Sequence, residues 1–148
     1  MESIFDPAVN TKLIDRINNL TPATLGLWGK MNVSQMLAHC QVPILIAIGE
    51  IKAKGGLIAL IFGRMAKKKV INEEPFEHNL PTMSEAKIKN DKGFEAEKQA
   101  LITLVKRFET GPDVLTKKPH PFFGPLTVDE WNTLQYKHLD HHLRQFGA

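Results

Sequence analysis

The stretch TVDEWNTLQYKHLDHHLRQF (127–146) reads as one helix from end to end. Thr127 followed three residues later by Glu130 forms a capping box, in which each side chain satisfies a backbone N–H left unpaired by the first turn. The helix that follows has five turns and a length of roughly 30 Å, at about 1.5 Å per residue. Residues four apart on a helix differ by roughly 40° in direction, so His138 and His142 stand almost in line. Trp131 and Gln145 fall within about 20° of that line, and Leu139 and Phe146 lie just beside it as expected core residues. The histidine pair therefore borders the buried face. His141 points about 60° to the other side.

Two imidazoles in line can aim their lone pairs at one point, but an ion needs a further ligand from another element. His39 is the candidate. It lies in VSQMLAHCQVPILIAIGEI (33–51), a segment introduced by a second capping box, Asn32 with Gln35. This segment is apolar on most sides, which predicts a helix in the middle of the fold, and Pro43 within it predicts a kink. Three neutral histidines on Zn²⁺, Ni²⁺ or a similar divalent ion would leave positions open to water or substrate, which is a catalytic rather than a structural arrangement. The spacing alone more often marks a half-exposed pair on a surface helix. A lone buried histidine such as His39 is more commonly a core residue hydrogen-bonded to a backbone or side-chain acceptor. Their placement on different long helices is what favours the ion, because metal sites in helical bundles are built across facing helices.

The rest of the chain supplies partners for these two helices. Asp6 before Pro7 is a cap followed by a first-turn proline, and Val9, Leu13, Ile14, Ile17 and Leu20 make an apolar stripe for a helix over 7–19. Phe94, Leu101, Leu104, Val105 and Phe108 do the same over 93–110, where Gly111-Pro112 stops the helix. Between them, Gly55-Gly56 predicts a break and LIALIFGRMA (57–66) a short amphipathic helix followed by Lys67, Lys68 and Lys69. INEEPFEHNLPT (71–82) reads as a long surface connection, of the kind that serves as a functional cover or crossover. No strand run or repeat competes, so the expected architecture is an all-α, single-domain four-helix bundle over 1–148 with a long crossover carrying an extra helix.

Composition narrows the function classes. The chain has 148 residues, 43% hydrophobic and 7% aromatic, enough to build a core without disulfides. A formal charge of +3, with no accompanying stripe of base-reading residues, argues against a nucleic-acid partner. The single Cys40 rules out an internal disulfide and suits a reducing cytoplasm. MESIFDPAVN (1–10) lacks the features of a signal peptide, and the longest apolar run, GGLIALIFG (55–63), is too short to span a membrane.

LWGKMNVSQMLAHCQ (27–41) and HPFFGPLTVDEWNTLQYKHLDHHLRQFG (120–147) resemble the DinB-like superfamily of metal-dependent enzymes, in a branch that is a domain of unknown function. The resemblance covers most of the chain. It implies a four-helix bundle with a long crossover and a metal triad at His39, His138 and His142. It also implies relatives that act as metal-dependent thiol transferases or hydrolase-like enzymes, many with nickel or zinc, and some that dimerise through the bundle. A small-molecule substrate, a thiol among the candidates, is the partner expected. The chain carries no separate cofactor-thiol motif.

Around the triad, Gln35 and Gln145 are either ligand-orienting residues or cap and packing groups, and His141 reads as a neighbour of the ligands or a surface residue. Phe122 and Phe123 either wall a pocket at the start of the last helix or plug the end of the bundle. Cys40 points about 100° from His39 and reads as a small core residue. Two functions compete: a metal-dependent enzyme, and a non-catalytic helical module for binding or stress response, as a monomer or a dimer.

Overall fold

The computed structural model describes residues 2–148 apart from 54, 56, 73 and 91, and for 57–60 and 64 the backbone only. The break expected at Gly55-Gly56 and much of the apolar face expected over 57–66 lie outside the described residues. Five α-helices follow one another: α1 (Pro7–Asn18), α2 (Val33–Ala47), α3 (Leu57–Val70), α4 (Phe94–Lys106) and α5 (Val128–Gln145). Short 3-10 turns occupy Ser84–Ala86, Arg107–Thr110 and Pro112–Val114. Among the described residues there is no strand, only an isolated bridge between His120 and Gly124, so the chain is all-α.

Local chemistry sets the helix starts. The Asp6 carboxylate accepts from the Ala8 and Val9 amides at 2.7 and 3.3 Å, which caps α1. Both capping boxes form: Asn32 with Gln35 opens α2 and Thr127 with Glu130 opens α5. Three helix ends differ from the sequence expectation: α4 ends at Lys106, and the last turn expected of it, Arg107–Thr110, is 3-10. α2 stops at Ala47 instead of running to 51, because Gly49 adopts a φ of 80°. Its amide bonds to the Ile46 carbonyl while that of Glu50 reaches the Leu45 carbonyl, a pairing that closes the helix with a left-handed residue. α3 in turn runs on through the lysines to Val70, and Lys67 pairs with Glu130 at 2.8 Å, tying α3 to the start of α5.

α2 lies in the middle, as its all-round apolar character predicts, and passes through Pro43 unbroken. It packs chiefly against α4 and α5, and α1 packs against the same two helices. Leu13, Ile17, Met36, Leu37, Ile44, Leu101, Val105, Phe108, Leu139 and Leu143 are essentially inaccessible to solvent. Removing such side chains from water is worth roughly 1.5–3 kcal/mol each and drives the helices together. Cys40 is among the buried residues, as expected, with its Sγ 3.6 Å from Met36 Sδ. Among the described residues, no helix is long and apolar enough to cross a membrane. The packing of α2 against α5 sets His39 opposite the last helix.

Candidate metal centre

His39 projects from the second turn of α2, and His138 and His142 from one face of α5. The structure brings all three together. Their ring centroids are 5.0 Å (39–138), 4.6 Å (39–142) and 4.7 Å (138–142) apart. One ring nitrogen from each lies within 4.8 Å of the other two. Nitrogens bound tetrahedrally at 2.0–2.1 Å stand about 3.4 Å from one another, so the three lie within about 1.5 Å of the separations that a shared ion requires.

The hydrogen bonds around the rings decide which nitrogens face inward. His39 Nδ1 lies 2.7 Å from the Ala86 carbonyl. A carbonyl only accepts, so Nδ1 carries the proton and Nε2 keeps its lone pair. That Nε2 is 3.0 Å from His138 Nε2. Two ring nitrogens at this distance need a proton or a cation between them, since bare lone pairs repel. On the other side His142 Nδ1 lies 2.7 Å from Gln145 Oε1, and Gln145 Nε2 donates to the Trp28 carbonyl at 2.7 Å. This is the outer-shell bonding that metal-bound histidines ordinarily show.

Electrostatics favour the neutral, ligating form. Burial lowers the pKa of His39 below its ordinary value and takes that of His142 down to about 3. His138 is held well below its ordinary value, by burial first and then by the charge that the neighbouring histidines would carry. Deprotonated imidazole is the species that binds a metal. The three histidines therefore stand close enough to hold a metal ion, and burial favours their neutral form. Imidazole donors of this kind suit zinc, nickel, copper or iron.

Residues 7–148, from α1 to the end of the chain, match the model of a family described as Protein of unknown function (DUF1569). The chain belongs to that family. No curated protein and no solved structure matches it. The matched DUF1569 region contains all three histidines.

Other residues singled out in the sequence divide into two groups. Gln145 and His141 are beside the triad: Gln145 bonds to His142, and the His141 ring centroid is 5.0 Å from that of His142. Gln35, Trp131 and Phe122 are engaged elsewhere. Gln35 spends its side chain in the capping box, bonding to the Asn32 amide at 3.0 Å. Trp131 is buried at the start of α5, 5.4 Å from the ring of His120. Phe122 sits in the loop before α5, where its carbonyl packs against Gly63 of α3. His120 fixes this loop by accepting at Nδ1 from the Phe122 and Phe123 amides at 3.1 and 3.2 Å.

Several neighbours were not legible as site residues in this DUF1569 chain. Trp28 stacks on His78 with ring centroids 3.9 Å apart and meets His141 edge-on at 5.7 Å. Phe76 approaches His141 at 5.8 Å. Burial lowers the His141 pKa, and His78 adds to the effect. Lys137 Nζ donates to the Val70 and Asn72 carbonyls at 2.9 and 2.7 Å and to Asn72 Oδ1 at 3.0 Å, and lies 4.6 Å from the Phe76 ring centre. For Phe76 and His78 the sequence signal was the length of the connection over 71–82, which marked it as a cover without naming the residues that reach His141.

Proposed function

We propose that the protein is a metal-dependent enzyme of the transferase or hydrolase type, with His39, His138 and His142 holding a divalent ion, zinc or nickel. The observation that carries the reading is the convergence of three imidazoles from two helices, two of them with Nδ1 bonded to an acceptor so that the lone pair is left on Nε2. When bound, such an ion supplies Lewis acidity and lowers the pKa of a coordinated water or thiol. The chain's own residues do the rest. Ala86 and Gln145 hold two of the rings in orientation. Trp28, Phe76, His78 and His141 give the neighbourhood an aromatic and imidazole wall, suited to excluding water and orienting a small-molecule substrate, a thiol among the candidates. We read α1, α2, α4 and α5 as the four helices of a DinB-like bundle, with α3 in its long crossover.

The test is the metal content of purified protein after loading with zinc or nickel and desalting. About one ion per chain is expected for the native sequence, and a large loss in His138→Ala with the helical circular dichroism retained. Equal metal content in the two proteins would overturn the reading in favour of a helical module whose histidines bond only to one another and to the protein.

A further inference from the structure

The geometry points to a positioning relay, running from the Trp28-Gly29 turn through Gln145, that sets the tautomer of His142 and so presents its Nε2 to the triad. The inference rests on the metal reading for its purpose, but its geometry stands independently. The Trp28 carbonyl can only accept, so the Gln145 group facing it is the amide nitrogen, and Oε1 is left facing His142. An amide oxygen can only accept in turn, so His142 carries its proton on Nδ1. One backbone carbonyl in the α1–α2 connection thereby dictates which nitrogen of a histidine over one hundred residues later is free.

The turn is built for this contact. Gly29 has a φ of 81°, a conformation side chains rarely adopt, and a Cβ there would lie 2.4 Å from Gln145 Nε2. Any larger residue would push the amide off the Trp28 carbonyl. The Leu27 amide bonds to the Gln145 carbonyl at 2.7 Å, so the same turn also holds the backbone at the end of α5. Gln145 is 3% exposed, which removes water as a competing partner for its amide. Outer-shell partners of this type change metal affinity by about 10–100-fold when removed.

The experiment uses the full chain in two measurements. In metal-free protein, ring ¹⁵N–¹H correlation spectra read the His142 tautomer directly. The native chain is expected to show the proton on Nδ1, and Gln145→Glu, which keeps an acceptor for His142 but gives the Trp28 carbonyl no donor, to show the same tautomer less completely. Gln145→Met, similar in length but without an acceptor, is expected to lose that preference. Zinc affinity is then measured by competition with a chelator: about 10–100-fold weaker binding in Gln145→Met is expected, with Gln145→Glu between it and the native chain. A His142 protonated on Nε2 in the native chain, or equal zinc affinity in the native chain and Gln145→Met, overturns the relay. Absence of zinc binding in every variant, with the tautomer shift intact, overturns the metal reading instead.

Discussion

His120 carries a stability consequence that depends on pH. It is 4% exposed, its Nδ1 accepts from two backbone amides, and burial takes its pKa down to about 4. In the unfolded chain the same ring titrates near 6.5. Between these values the unfolded state binds the extra proton, so stability is fully present above about pH 6.5 and is lost as the pH falls toward 4. His142, lowered to about 3, acts in the same direction. Urea unfolding of metal-free protein at pH 7 and pH 4.5 should show the loss, and His120→Gln should reduce it; an equal loss in both proteins would remove His120 as a cause. At this scale the sequence was informative where a single period sufficed. The in-line pair His138 and His142 follows from helical spacing, and Cys40 followed from its offset from His39. Gln35 illustrates the limit, because one turn from His39 is also the third position of a cap, and the cap claims the side chain.

Among the elements, α5 carries most of the candidate site, and Lys137 is its link to the connection over 71–82. It is 6% exposed, and its ammonium gathers the Val70 carbonyl at the end of α3 together with the carbonyl and side chain of Asn72. These acceptors are part-buried and can turn partly to water, so removing the ammonium should cost less than the roughly 1–3 kcal/mol of a fully buried orphan and release this segment locally. Lys137→Met is expected to be cut faster by protease within 71–82 while its helical circular dichroism stays near native. An unchanged cleavage rate would mean that other contacts hold the segment. Helix starts were readable because caps are local: Asp6, Asn32 and Thr127 each act within three residues. The ends of α2 and α3 were less so. Gly49 inside an apolar run and the lysines after Met65 carry signals that compete with the period, and backbone conformation decided the first.

For the molecule as a whole, the triad spans α2 and α5, so an ion held there would be coupled to global stability. A ligand that binds only the folded chain stabilises it by about 2.7 kcal/mol at one hundred times its Kd. For a domain of this size that amounts to a rise in Tm on the order of 5–10 °C. Zinc should produce such a rise in the native chain, a chelator should reverse it, and His142→Ala should show little. A native chain whose Tm ignores zinc would argue against a site spanning the two helices.

The helical class, the order of the main helices and the two histidines a turn apart were all contained in local pattern, because capping and the 3.6-residue period act over a few neighbours. The meeting of His39 with that pair depended on how α2 lies against α5. So did the Ala86 carbonyl, the Trp28-Gly29 turn, and the wall made by Trp28, Phe76, His78 and His141. These contacts join residues between 47 and 117 positions apart, as in His39 with Ala86 and Trp28 with Gln145. No short-range preference encodes such distances; burial of the shared apolar core sets them.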